Sequence, residues 1–522
     1  MASTSTCFEL FSLFSSNAPH MRPFTLSLLT SAVLLATTTF AADTSSDRIL
    51  QEALKSSELE ANLRHLTDEI GGRVPGTLAM QRAVNWGVAS FKAAGADNVH
   101  TEGFTIPHSW AEGKTEMSIS STGTAVDVKA SSIPSVQFDT RVVSVAWAPA
   151  LPASKHVPVV DVGEGTATEV SKAGDISGKI LLVHTTVLKT WNDLFAEYEK
   201  APPLITLAVK GKAKAIAFMA TREHDLLYRH TNAVAGEIDR IPMVMIARED
   251  GERIARLLGS GHPVWADLSI PNKINGPFKT SNVIAELRGS EKPNEFVILG
   301  AHLDSWELGT GALDNGCNSA LVVDALRAIK ASGLKPRRTI RFILFSGEEE
   351  GLMGSRAYAA MHRNELDRIV GVVIYDSGTG KTTGFSVGGR KDLVKAAAPL
   401  IAPLAQFGVT QLNPTMESGT DHFDFMLEGV PTFVADQEES NYLTSYHASS
   451  DTFDKVDLAQ LKKHVAEAAY LTFALSNLAT PIGPRLGRAE IERDMKETHL
   501  DQELKDMGMW DEWLKGTRGR QK

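Results

Sequence analysis

The sequence predicts an α/β fold: a mostly parallel, mixed sheet sandwiched by helices, with a β-rich α/β accessory domain inserted into it. Three observations point there. From about residue 296 onward, short continuous apolar runs alternate with segments whose apolar residues recur at helical spacing, the pattern of strands buried on both faces and covered by helices. Between residues 132 and 276 the texture changes to β-branched runs and short helices, with no clustered histidines and carboxylates. The ionisable residues suited to chemistry fall just after the apolar runs, where open α/β sheets place their sites.

Taken in order, the chain opens with a targeting segment over residues 1–41. Met21-Arg22 supplies a positive start, Phe24 to Ala36 an apolar run, and Thr39-Phe40-Ala41 the small residues of a cleavage site. The run is shorter than the roughly 18 residues of a spanning helix, so the expectation is an exported protein, periplasmic or extracellular, with no membrane attachment after processing. Residues 42–131 read as the N-terminal part of the catalytic domain. Leu59, Leu63, Leu66 and Ile70 form one helical face stopped by Gly71-Gly72, and Met80, Val84, Val88 and Phe91 form a second stopped by Gly95. The insert over residues 132–276 offers strands at Val157–Val162, Gly178–Val183, Ala213–Met219 and Ile241–Ile246, and a helix at Glu249–Leu258. Residues 277–480 complete the catalytic domain. Its expected strands are Phe296–Gly300, Thr339–Phe345, Val370–Tyr375 and Thr432–Ala435; its expected helices are Asn318–Ser332, Ser355–Asn364 and Leu458–Leu478. The charged extension over residues 481–522 reads as a peripheral helix and a loose tail.

A net charge of -10 argues against nucleic acid and anionic membranes as partners, because both call for a basic patch. Of two cysteines, Cys7 falls in the targeting segment and Cys317 remains. No internal disulfide is then available, and Cys317 reads as a small core residue rather than a nucleophile.

The chemistry gathers at strand ends. His302 and Asp304 follow Phe296–Gly300, Glu348 and Glu349 follow Thr339–Phe345, and Asp376 ends Val370–Tyr375. Carboxylates held this close repel strongly without a cation between them. Histidine nitrogen with carboxylate oxygen suits zinc-like ions. The simplest allocation is symmetric, with Asp314 bridging two metals about 3.5–4 Å apart. His302 and Asp376 complete one site, and Glu349 and His447 the other. Asp304, two residues from His302, is assigned to orient it. Side chains of consecutive residues diverge, so Glu348 is left as the general base that takes a proton from a metal-bridging water and passes it to the leaving amine. Gly309 and Gly311 let the backbone turn tightly between ligands.

With these residues in place the chain resembles metallopeptidases of the M28 family, and within it the plasma glutamate carboxypeptidase-like branch. The matching motifs are His302-Leu303-Asp304-Ser305-Trp306, Gly311-Ala312-Leu313-Asp314, Glu348-Glu349-Glu350-Gly351, Tyr375-Asp376-Ser377-Gly378, Ser418-Gly419-Thr420-Asp421, and Tyr446-His447 before Ser450-Asp451-Thr452. The insert resembles a protease-associated domain at Gly178–Val183 and from Ile241-Pro242 through Gly251-Glu252. The resemblance implies a zinc-exopeptidase fold, two Zn2+ ions per chain, a peptide substrate, and a homodimer. It also implies that Tyr446 or nearby backbone helps polarise the scissile carbonyl. Asp314-Asn315 stands where that branch often has paired aspartates, and Asp421-His422 where it lacks the histidine; both put the substrate pocket in doubt. His422 reads as a pocket or core histidine, with substrate contact as the alternative.

Dipeptidase and carboxypeptidase activities are favoured by the resemblance, and an aminopeptidase on longer peptides shares the same ligands. A non-peptidase hydrolase of acylated amino acids also fits, because the metals do not choose the acyl group. A metal-free receptor-like binding protein is the remote alternative, opposed by the retention of all five ligands and the base.

Overall fold

A computed structural model describes residues 44–122, 136–233 and 235–521, so the targeting segment lies outside the described residues. An eight-stranded mixed sheet carries the catalytic half. Its strand order is Asn98–Ile106, Phe278–Leu287, Arg338–Phe345, Lys292–His302, Ile369–Ile374, Thr432–Gln437, Thr382–Ser386 and Gln411–Asn413. The four strands from Arg338–Phe345 to Thr432–Gln437 run parallel, and antiparallel pairs flank them. Arg338–Phe345 and Ile369–Ile374 are buried at every position, which is why they read as continuous apolar runs.

Alternate residues of these strands serve two cores, as the two-residue period of a strand requires. Val297, Leu299, Phe342 and Leu344 join the cluster formed with helices Leu78–Ala93, Cys317–Ala331 and Leu458–Asn477. Ile298, Ile343, Phe345 and Ile374 face the other way, onto Tyr358 of helix Met353–Met361 and Phe425 of helix His422–Leu427. The expected sandwich of helices on both faces is therefore the observed one.

A second eight-stranded sheet is built from Val136–Asp139, Glu116–Ser121, Val264–Ile270, Leu151–Asp161, Ile180–Val183, Ala215–Met219, Met243–Ile246 and Val142–Ser144, in that order. Its last strand lies antiparallel on Met243–Ile246, and the four before it are mutually parallel. The sheet draws a strand from Glu116–Ser121, upstream of position 132. That strand has the sequence EMSISS, with its two large apolar side chains buried and small polar ones between them, a weak signal without its partners. Helix Trp191–Lys210 covers one face despite Pro202 and Pro203 in its interior.

The C-terminal extension corrects the expectation of a loose tail. Helices Arg488–Glu497, Leu500–Asp506 and Trp510–Lys515 fold back onto the catalytic half. Trp513 is 1% exposed and packs in one cluster with Phe423, Met426 and Leu427. Arg518 makes a buried two-pronged pair with Asp424, at 2.8 and 2.7 Å. Charge alone gave the wrong impression here, because the apolar residues that anchor the segment are few and large. Among the described residues no helix is long and apolar enough to cross a membrane.

Candidate metal centre

Parallel strands Lys292–His302, Arg338–Phe345 and Ile369–Ile374 deliver their ligands to one edge of the sheet. His302 is the last residue of its strand and sits opposite Phe345. Glu348 and Glu349 follow within four residues of Phe345, and Asp376 lies two beyond Ile374. Asp314 lies in the kinked turn Ala312–Gly316, with Asp314–Asn315 a cis peptide. His447 follows the short helix Tyr442–Ser445 at a left-handed φ of 59°.

The folded chain brings these residues together as two triplets that share Asp314. His302, Asp314 and Asp376 form one, and Asp314, Glu349 and His447 the other; in each, the ligand atoms lie within 4.8 Å of one another. His302 Nε2 is 3.1 Å from Asp314 Oδ1 and 3.0 Å from Asp376 Oδ1. His447 Nε2 is 2.8 Å from Glu349 Oε2 and 3.5 Å from Asp314 Oδ2.

The electrostatics call for positive charge between these groups. Burial pushes the Glu348 and Glu349 carboxyls well above the usual range, and neighbouring carboxylates push them further. Burial works against a charge on His302, yet Asp376 and Asp314 outweigh it and hold its pKa well above the imidazole value. Burial pulls His447 down to about 4, so the neutral, ligating form prevails at neutral pH. Glu349 Oε1 has no hydrogen-bond partner although it is buried. Buried carboxylates and imidazoles in two adjoining triplets are a donor set that fits zinc-like ions.

Asp304 behaves somewhat differently from expectation. His302 Nδ1 donates to the backbone carbonyl of Asp304 at 3.1 Å, while the Asp304 carboxylate is 3.7 Å away. That carboxylate instead accepts the Glu349 backbone N–H at 3.2 Å. Asp304 thus positions a ligand of each triplet, through two different atoms. Tyr446 stacks on His447 with ring centroids 3.6 Å apart, and its hydroxyl is 2.9 Å from that of Tyr198. His422 is buried at the start of its helix, is pulled down to about 4 by burial, and stands outside both triplets. Cys317 is buried, its Sγ donates to the Leu313 carbonyl at 3.4 Å, and burial raises its pKa, as a core thiol requires.

Two residues without a predicted role build the frame. Buried Arg73 donates to the carbonyls of Leu303, Gly71, Thr310 and Gly311 at 2.7–3.0 Å, tying the His302 and Asp314 loops together. Burial lowers its pKa only to about 10, so it stays charged. Asp451 accepts the backbone N–H groups of Ala312, Leu313 and Asp314 at 3.1, 2.6 and 3.1 Å. Gly311 has φ of 61°, and a Cβ there would come within 2.2 Å of Ser305 Oγ. A Cβ on Gly309 would come within 2.6 Å of the Ala448 and Asp451 carbonyl oxygens. The SDT motif signals Asp451; Arg73 has only its place in the Gly71–Gly76 turn.

The second sheet reaches the same loop. Arg229 N–H donates to the His447 carbonyl at 2.8 Å, and Ser449 N–H to the Leu227 carbonyl at 3.0 Å. Arg222 Nη2 donates to the Tyr446 carbonyl at 2.8 Å. None of these contacts was legible from spacing.

Adjoining histidine–carboxylate triplets at the carboxyl edge of a mostly parallel sheet define a metal-dependent hydrolase. Residues 282–472 match the sequence model of peptidase family M28. Carboxypeptidase Q of Mus musculus is 26% identical over 428 residues, covering 79% of this chain and 84% of the relative. A peptidase M28 precursor from Shewanella amazonensis superposes with a TM-score of 0.75 at 26% identity, covering 85% of this chain and 98% of that one. A zinc aminopeptidase from Bacillus subtilis, 20% identical with a TM-score of 0.60 over 82% of this chain and 98% of its own, shares the fold. The chain is a metallopeptidase whose residues 282–472 match family M28 and which is similar along most of its length to carboxypeptidase Q.

Proposed function

We propose that this chain is an exported di-zinc exopeptidase acting on dipeptides or other short peptides, with Glu348 as general base. The observation that carries the reading is the pair of triplets sharing Asp314. The first zinc is assigned to His302, Asp314 and Asp376, and the second to Asp314, Glu349 and His447. When bound, the ions supply Lewis acidity for the scissile carbonyl and lower the pKa of the attacking water. Glu348 follows Phe345 on the same edge; burial and the neighbouring carboxylates raise its proton affinity, and bound cations would favour the carboxylate form that a base needs. It takes the proton of the attacking water and returns it to the leaving amine. Asp304 fixes the His302 ring and the Glu349 backbone. Tyr446, stacked on His447, is assigned to the carbonyl oxygen, and His422, buried outside the triplets, to the pocket wall.

Preference for a dipeptidase or carboxypeptidase over an aminopeptidase rests on similarity to carboxypeptidase Q. Export rests on the segment preceding residue 42, and the insert over residues 132–276 is read as a protease-associated domain.

Hydrolysis of a free dipeptide is to be compared with that of its N-acetylated and C-amidated forms. Loss on both modifications is expected of a dipeptidase. Loss on amidation alone identifies a carboxypeptidase, and loss on acetylation alone an aminopeptidase. In the same assay Glu348→Gln should lower kcat by about 10²–10⁴-fold with the metal content unchanged; normal turnover in that variant removes Glu348 from its role.

A further inference from the structure

The second sheet has an edge of the same kind. Strands Leu151–Asp161, Ile180–Val183, Ala215–Met219 and Met243–Ile246 are parallel and end together. A partly open cleft lies there, and several of its lining residues, Glu164, His184 and Thr221 among them, come from the segments that leave those strand ends. Carboxyl ends of parallel strands are where open α/β sheets bind ligands, and a concave, largely apolar lining with a few polar groups is the usual form of such a site.

Helix Trp191–Lys210 lines one side of the cleft. Its N-terminal half packs on Leu443 and Tyr446 beside the metal centre, and its C-terminal half on the second sheet. Val183, Leu204, Phe218 and Met245 supply the apolar lining. Among the polar lining, His230 is 3% exposed. Its Nε2–H donates to Asn232 Oδ1 at 3.2 Å, and its Nδ1 is buried without a partner. Burial holds this imidazole below its ordinary pKa, so Nδ1 is an acceptor awaiting a donor. The His230 ring lies 4.6 Å from that of Tyr198. Of the lining carboxylates, Glu164 pairs with Lys200 at 2.9 Å and Glu197 lies 3.8 Å from Arg222, which leaves Asp193 as the one without a basic partner among the described residues. An apolar floor with an orphaned acceptor and one uncompensated carboxylate complements a cation with an aliphatic body.

We propose that this cleft is a second binding site, for a small aliphatic primary ammonium ion whose chain lies on Val183, Leu204, Phe218 and Met245 and whose head donates to His230 Nδ1. It is distinct from the two triplets and joined to them by contact. Tyr198 touches His230 on one side and Tyr446 on the other, and Tyr446 stacks on His447. The site stands whatever peptide the metal centre cleaves.

Calorimetric titration of the full-length metal-loaded protein with n-hexylamine, n-hexanol and hexanoate tests this. Hexylamine should saturate one site, hexanol should bind about tenfold more weakly for want of a charge-assisted hydrogen bond, and hexanoate weaker still. His230→Phe should weaken hexylamine about tenfold and leave hexanol little changed. Ala201→Phe, which fills the cleft, should remove binding. Equal hexylamine binding by the wild type and Ala201→Phe overturns the proposal, because the amine then sits elsewhere, for instance on the metals. Hexanoate binding as tightly as hexylamine, or no hexylamine binding at about 10 mM, overturns it as well. If His230→Phe does not fold, Ala201→Phe and the three-ligand series decide the question between them.

Discussion

The catalytic sheet and the second sheet both end parallel strands at a functional edge, and they treat charge in opposite ways. At the first edge Asp304, Asp314, Glu349 and Asp376 are nearly or wholly buried, and their ion pairs among the described residues are with His302 and His447 alone. Among the described residues no Lys or Arg is paired with any of the four. Arg73, the nearest guanidinium in their frame, spends its donors on backbone carbonyls. At the second edge the charges are paired locally: Asp161 with His184 and Glu164 with Lys200, both half exposed and at 2.9 Å, and Glu197 with Arg222 at 3.8 Å. A dry edge with surplus carboxylate has to gain a cation. A wetter edge with local pairs keeps an apolar floor free for an organic ligand. The same topology therefore suits a metal ion or an organic ligand according to how its charges are compensated.

The sharpest way to break this contrast is to remove the ligand common to both triplets. Asp314→Ala should abolish peptidase activity and reduce bound metal from about two ions to less than one per chain. Hexylamine binding at the second edge should persist unchanged. Elemental analysis that still finds two metals would show that Asp314 does not join the sites.

Next in size is the frame of the first edge. Arg73→Met leaves carbonyls of four residues without their donor. Each buried acceptor left unmet costs about 1–3 kcal/mol, so the total should reach about 4 kcal/mol or more. Thermal unfolding should show a clearly lower midpoint, and chelator competition a weaker hold on metal. A midpoint within about 1 °C of the wild type would mean that water replaces the guanidinium without cost, and that the first edge is not as dry as its burial implies.

How much of this was readable in advance follows from the same contrast. The strands beneath the metal centre are buried on both faces, so Arg338–Phe345 and Ile369–Ile374 announce themselves as apolar runs, and the ligands stand next to them. Strand Asn98–Ile106 was missed because it lies at the sheet margin with only Ile106 fully buried. Helix Trp191–Lys210 was missed because Pro202-Pro203 argues against a helix, and tertiary packing on two surfaces overrides that local cost. Arg73 and Tyr198 act across 230 and 248 residues of sequence. A lone arginine in a glycine turn, or a lone tyrosine in a helix, carries no spacing signal for such a partner. The residues of the two triplets could be picked out by type and place; those that aim them required the fold.

The smallest expected effects are on acid stability, and they have opposite signs in the two regions. His464, wholly buried beneath the catalytic sheet, is pulled down to about 4 by burial. Its unfolded pKa is about 6.5, so between those values the unfolded chain binds more protons than the native one. Its contribution is complete above pH 6.5 and is lost as pH falls toward 4, at most about 3 kcal/mol. His184 is raised instead, by its hydrogen bond to Asp161 and against partial burial. Its contribution is complete below the unfolded value and is lost as pH rises through the folded one. Half-exposed as it is, solvent screens the pair and the effect should be slight. Thermal midpoints measured from pH 4 to 8 should therefore fall less steeply on the acid side in His464→Gln than in the wild type. In His184→Gln the midpoint should drop slightly at pH 5 and match the wild type at pH 8. Identical acid limbs in His464→Gln and the wild type would mean that this histidine accepts its proton in the native state, and that the core under the metal centre admits water as the second edge does.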